Sequence, residues 1–120
     1  MKKVLFLSLL ICMAAGTMSS TPRFTNANVT LTNSVGGSYR AVFIQGGETN
    51  FQFPGSGSTT FTAAIPPGTY QLGVAPNGGS SAIHSFHWSC GPDNGTTSGT
   101  SALFSNVTVY SGSTITVSIN

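Results

Sequence analysis

Two histidines, the only tryptophan and one of two cysteines crowd into residues 81–90 (SAIHSFHWSC). His84 and His87 stand in an H-x-x-H spacing and Cys90 follows three residues on, a ligand set that suggests zinc. An extended backbone defeats that reading. Residues three apart on a strand point to opposite faces, so neither His84 and His87 nor His87 and Cys90 can grip one ion. His84 and Cys90 share a face but lie about 20 Å apart. No metal and no other cofactor is expected. Hydrolysis by a Ser/His/Asp set would have to join Asp93 to His84 or His87, and no G-x-S-x-G elbow marks a nucleophile among the many serines. A glycosidase needs two carboxylates roughly 5–10 Å apart. Apart from Glu48 and Asp93 the chain has none, and both sit beside turn-forming glycines. No catalytic residue is therefore assigned. Ligand binding is the remaining chemistry. Trp88 is read first as packing in the core, with the phenylalanines. The alternative is that Trp88, with His84 and His87 on its strand and Asp93 and Asn94 just beyond, forms a platform for a sugar ring.

The elements that position these residues alternate with a period of two. Val29 and Leu31 face one way against Asn28, Thr30 and Thr32; Tyr39, Ala41 and Phe43 against Arg40, Val42 and Ile44; Phe51 and Phe53 against Asn50 and Gln52. Gln45-Gly46-Gly47-Glu48 between the last two runs predicts a hairpin of antiparallel neighbours. Residues 54–58 (PGSGS) read as a loop, then Phe61, Ala63 and Ile65 alternate until Pro66-Pro67-Gly68 stops the run. Tyr70, Leu72 and Val74 share a face in the next strand. In residues 81–90 Ala82, His84, Phe86, Trp88 and Cys90 oppose Ile83, Ser85, His87 and Ser89. Residues 91–101 (GPDNGTTSGTS) predict a long loop, either a functional tip or mere slack. Leu103, Phe104, Val107 and Val109, then Ile115, Val117 and Ile119, supply the last two strands. About seven or eight short strands and no amphipathic helix predict an all-β, single-domain antiparallel sandwich of Greek-key, Ig-like type.

One segment, Ala64-Ile65-Pro66-Pro67-Gly68-Thr69-Tyr70-Gln71-Leu72-Gly73-Val74, resembles the strand-turn-strand of prealbumin-like modules, which include carboxypeptidase regulatory-like and Cna protein B-type domains. The resemblance covers about eleven residues. It implies structural roles for Pro67, Gly68 and Tyr70, the tyrosine packed in a small sandwich, and a role in adhesion, spacing or ligand presentation. The isopeptide bond of some members needs a lysine, and beyond Lys3 the chain has none.

Met1-Lys2-Lys3, the apolar run 4–13 and Ala14-Ala15-Gly16 have the form of a secretory signal, helical before removal, so residues 1–16 are expected to leave on export. Ile11 spoils a lipobox around Cys12. Residues 17–26 then form a flexible leader and 27–120 the domain. Loss of Lys2 and Lys3 takes the formal charge from +2 to neutral. That excludes a polybasic nucleic-acid binder, and the short apolar run leaves no membrane span once the signal is cut. Cys90 would be the only thiol exported, without an internal disulfide partner. The signal has a bacterial character, which leaves the Asn28, Asn94 and Asn106 sequons idle. The expected protein is a secreted, periplasmic or cell-surface module without catalysis, contacting protein or polysaccharide and self-associating through a neutral, hydrogen-bonding surface. A small carbohydrate-binding module using Trp88 and the 91–101 segment is the competing expectation, and a hydrolase a remote one.

Overall fold

Alternation of apolar and polar side chains resolves into two sheets whose apolar faces meet. The computed structural model describes residues 25–79 and 81–120, so the expected signal and most of the expected leader lie outside the described residues. The strands are β1 (Ala27–Asn33), β2 (Tyr39–Ile44), β3 (Glu48–Gln52), β4 (Gly57–Ile65), β5 (Gly68–Pro76), β6 (His84–Cys90), β7 (Asp93–Gly99), β8 (Ala102–Val109) and β9 (Thr114–Ile119). One sheet has the order β4-β1-β9-β6-β7 and the other β3-β2-β5-β8. The protein is thus an all-β, two-sheet sandwich, with no helix among the described residues.

The core follows the predicted phases. Val29 and Leu31 of β1, Phe86, Trp88 and Cys90 of β6 and Ile115, Val117 and Ile119 of β9 face Ala41 and Phe43 of β2 and Tyr70, Leu72 and Val74 of β5, all buried. Each large side chain buried there contributes about 1.5–3 kcal/mol. Phe43 meets Phe51 and Tyr70 edge-on at 5.8 and 5.9 Å between centroids, the arrangement that ring quadrupoles favour. The hairpin predicted at Gly46-Gly47 joins β2 to β3 in antiparallel register.

Three expectations need correction. The 91–101 segment is not a loop: Asp93–Gly99 pairs with β6 through seven successive rungs, from Cys90↔Asp93 to His84↔Gly99. Gly91, at φ 57°, takes the first position of the connecting turn, where a hairpin needs the left-handed backbone. An edge strand with little apolar side chain to bury leaves no alternation to detect, and with it the described strands number nine. The sandwich is also not wholly antiparallel, because β9 pairs with β1 in parallel, Thr114↔Asn28 to Ile119↔Asn33. Parallel neighbours need a long crossover, and here nearly the whole domain supplies it, since β1 and β9 are the first and last described strands. Finally, β6 starts at His84, three residues later than predicted, which leaves Ile83 outside it and 67% exposed.

In β8 the burial pattern slips. Phe104 and Val107 are both buried although three apart, with Ser105 and Asn106 exposed between them. Asn106 has φ 59° and marks the bulge, where Tyr70↔Val107 is followed by Leu72↔Phe104. The extra residue returns Val107 and Val109 to the core and turns Leu103 outward.

Candidate functional site

The β6–β7 hairpin carries every ligand-binding candidate from the sequence but divides them between its two faces. Trp88 is 5% exposed and packs edge-on against Phe104 at 6.5 Å. Directly across from it is Gly95, where a Cβ would come within 2.4 Å of the indole nitrogen. The ring is covered by backbone and offers no open face to a sugar, which corrects the stacking platform. His84 also points inward at the end of the sandwich, edge-on to Tyr39 at 6.2 Å. It borders a shallow cleft of about 350 Å³ between Val35-Gly36-Gly37 and Pro76. His87 lies on the outer face, with Nδ1 2.9 Å from the Thr96 hydroxyl. Asn94 is exposed on that same face, opposite Ser89.

Asp93 accepts a 2.8 Å hydrogen bond from the Tyr110 hydroxyl. It stands three rungs from the His87 pair, about 10 Å along the ladder, and Glu48 belongs to the other sheet. The carboxylates and histidines are therefore dispersed. Among the described residues no three His, Cys, Asp or Glu side chains gather as a metal would need. Cys90 is buried, its sulfur 3.1 Å from the Ser113 hydroxyl. Because that hydroxyl donates to the Tyr110 carbonyl, the thiol is the donor to Ser113, a small buried group with its hydrogen bond made.

The Asp93 contact raises the pKa of Tyr110, first through the hydrogen bond itself, then through lost hydration and the charge of the carboxylate. A raised value means that stability from this contact is present below the ordinary tyrosine pKa and is lost as pH climbs through the raised one. Asp93→Ala is expected to return Tyr110 to the ordinary phenol range. Tyr70, raised by burial, should still ionise late. Phenolate absorbance during an alkaline titration separates the two.

What the structure gathers is a surface. Across the outer face of the five-stranded sheet, register places Ser58, Thr32, Ser118, His87 and Thr96 in one row and Thr60, Thr30, Thr116, Ser89 and Asn94 in the next. Neither row contains a Lys, Arg, Asp or Glu. Neighbouring strands are about 4.8 Å apart, and residues two apart along a strand about 7 Å, so hydroxyls stand on a regular grid. Several are pinned by cross-strand bonds: Thr30 to Thr60 at 2.9 Å and Thr32 to Ser58 at 2.8 Å. Each bond uses one hydroxyl proton and leaves oxygen lone pairs facing solvent.

Comparisons with protein-family models, curated proteins and solved structures find no match.

The second sheet presents a different outer face. Gly73, without a side chain, floors a trough of about 510 Å³ walled by Val42 and Ile44, with Arg40 and Glu48 also lining it. Leu103, across from Gly73, is 64% exposed. The hydroxyl grid was foreshadowed by the polar phases Thr30-x-Thr32 and Thr116-x-Ser118, whereas Ser58 falls in the segment 54–58 that reads as a loop and instead lies in β4, which begins at Gly57. Strand order, which sets these phases side by side, is what the sequence withholds.

The three residues of the Pro-Gly turn are placed structurally. Pro66-Pro67 carries the chain from β4 in one sheet to β5 in the other. Tyr70 is 6% exposed and donates a 2.5 Å bond to the Pro66 carbonyl. Gly68 lies against the Gln45 amide, which a Cβ would meet at 2.5 Å.

Proposed function

We propose that this protein is a secreted, non-catalytic module of the cell surface that works by contact, through the hydroxyl-lined outer face of its five-stranded sheet. The observation that carries this is the absence of Lys, Arg, Asp and Glu from two full rows of hydrogen-bonding side chains. Such a face suits a neutral partner rich in hydroxyls or amides, protein or polysaccharide, and would bring copies together without electrostatic repulsion. A sheet of five strands twists by roughly 20–25° per strand. A partner able to follow that twist, such as a single glycan chain or a protein surface, is favoured over a rigid crystalline one. Without Trp88 as a stacking platform, any glycan contact falls to this face. An Ig-like or prealbumin-like Greek key fits the module: the Pro-Gly turn crosses between sheets and Tyr70 is packed inside. Its bond four residues upstream has the form of the tyrosine corner of such sandwiches.

Thr116 lies at the centre of the face, between Thr30 and Ser89. Thr116→Glu should abolish co-sedimentation with cell-envelope material while the fold is kept, whereas Val42→Glu on the opposite sheet should leave it intact. Prior digestion of the envelope glycans tells polysaccharide from protein. Wild-type protein that fails to co-sediment, or co-sediments equally as Thr116→Glu, would refute the assignment.

A further inference from the structure

The two sheets have four edge strands, and β7 differs from the other three. β3 is short and opens with Glu48. β8 is interrupted at Asn106, and β4 by a register shift opposite Ala27–Val29. Bulges, charges and brevity are the ordinary protections of a sheet edge. β7 runs for seven unbroken rungs with neither bulge nor proline, and its sole charge, Asp93 at one end, is engaged by Tyr110.

The hydrogen-bond phase shows what this edge offers. Ser85 and Asn120 exchange both backbone bonds, at 2.9 and 2.8 Å, so Ser85, His87 and Ser89 direct their backbone groups to β9. The alternate residues of β6 therefore bond β7, through Asp93, Gly95, Thr97 and Gly99. Asn94, Thr96 and Ser98 are left with N–H and C=O pointing away from the sheet, and no described residue pairs with them.

We propose that β7 is a strand-addition interface whose occupant is β7 of a second copy, paired antiparallel about a two-fold axis at Thr96. In that register Asn94 faces Ser98 of the second copy and Thr96 faces its own equivalent, with every outward N–H and C=O donating or accepting once. Asp93 falls opposite Gly99, so no like charges meet. The joint is isologous and closes on itself, giving one continuous ten-stranded sheet with the hydroxyl rows running across it. Pairing does not depend on what the hydroxyl face binds: a chain that ignores envelope material still dimerises, and loss of pairing leaves the face intact.

Sedimentation equilibrium of the purified protein should show a concentration-dependent dimer. Ser98→Pro removes an outward N–H that the β6 ladder does not use, and should weaken the dimer on the order of tenfold or more with little change in melting temperature. Thr96→Lys, which brings two cations together at the axis, should weaken it as well, with partial rescue by salt. A cysteine at the axis would lie about 5.5 Å, Cα to Cα, from its equivalent, within disulfide range. Thr96→Cys should therefore cross-link on mild oxidation while Thr30→Cys, in a central strand, does not. A wild-type chain monomeric up to millimolar concentration overturns the proposal. So does a dimer that both Ser98→Pro and Thr96→Lys leave undiminished, or one in which Thr96→Cys cross-links no better than Thr30→Cys, the result expected if β7 pairs with another edge or with an unrelated protein.

Discussion

Trp88→Ala is expected to destabilise the fold by about 3–5 kcal/mol, the range for deleting a large buried aromatic side chain. That is a large part of the 5–15 kcal/mol that typically separates folded from unfolded domains. The buried indole packs edge-on against Phe104 of β8 across the sandwich. Its roof is the backbone at Gly95, which makes the pair interdependent. Gly95→Ala places a methyl group where the Cβ would stand 2.4 Å from the indole nitrogen and 3.2 Å from two of its carbons. These are atoms of a rigid ring, so either the ring or the edge strand must move, at about 1–3 kcal/mol. Once the ring is gone, the same methyl group meets no obstacle. The double variant should thus cost less than the sum of the single ones, with a coupling of about 1–3 kcal/mol. Urea unfolding of the four proteins measures that coupling. Because the chain has one tryptophan, its emission should shift to the red in Gly95→Ala if the ring is the part displaced. Additive costs would mean that the two residues do not share the site as described.

The Trp88–Gly95 pair also shows where sequence patterning stops. Alternation placed Trp88 on the same face as Phe86 and Cys90, and all three are in the core. It was equally informative for β2, β5 and β9, because a strand between two neighbours has one face buried along its whole length. The same logic fails for β7. An edge strand made of Asp, Asn, Gly, Thr and Ser is held by backbone hydrogen bonds, and backbone bonds leave no mark in residue type. Segment 91–101 therefore reads as a loop, which leaves a ligand platform open for Trp88 as the alternative to core packing. Once the segment is a strand, Gly95 lies over the indole and the platform closes. Asn106 is unreadable for a related reason: a bulge is a count of residues against a partner strand, and the partner is unknown from sequence. The hydroxyl face sits between these cases. Its polar phases were visible in β1, β6 and β9, but Thr96, Asn94 and Ser58 lie in segments that read as loops, and the order β4-β1-β9-β6-β7, with a parallel pair at its centre, is a property of the whole chain.

The two outer faces differ in what they leave unanswered by the protein itself. Cross-strand bonds hold Thr30, Thr60, Thr32, Ser58, His87 and Thr96 of the hydroxyl face in place, so a partner meeting these groups finds them with little freedom to lose, which lowers the entropic cost of contact. The trough over Gly73 instead mixes exposed aliphatic groups with Arg40 and Glu48, which have no partners between them or elsewhere among the described residues. That contrast is why the proposed contact falls on the five-stranded sheet, and why Val42→Glu is a fair control for it.

Asn33→Ala should cost about 3–5 kcal/mol, although the side chain is small and belongs to a type abundant in this sequence. Asn33 is the buried polar residue of the described core, 1% exposed at the end of β1. Its amide nitrogen lies 3.1, 2.9 and 3.2 Å from the carbonyls of Gly37, Pro54 and Gly55, two N–H groups serving three acceptors with one of them shared. Its oxygen accepts from the N–H groups of Val35 and Gly36, both at 3.0 Å. One side chain thereby ties the β1–β2 loop to the loop between β3 and β4, and alanine leaves five backbone groups without their partner. Each such group costs about 1–3 kcal/mol when it stays buried, and water entering the loops should hold the total to the range given. Asn33→Asp is the sharper test because shape is preserved. The carboxylate still accepts from Val35 and Gly36 but turns a negative oxygen toward three carbonyls. Burial and that repulsion raise its folded-state pKa above the usual 3.9 or so. A raised carboxyl pKa stabilises the fold relative to the ionised form at low pH and loses that contribution as pH rises through it. The variant should therefore be markedly less stable than wild type at pH 7 and recover part of the difference near pH 3, when the protonated acid can again donate to one carbonyl. Thermal melts of both proteins across that interval give the result. A pH-independent deficit would show that the amide hydrogens at Asn33 do not hold the two loops.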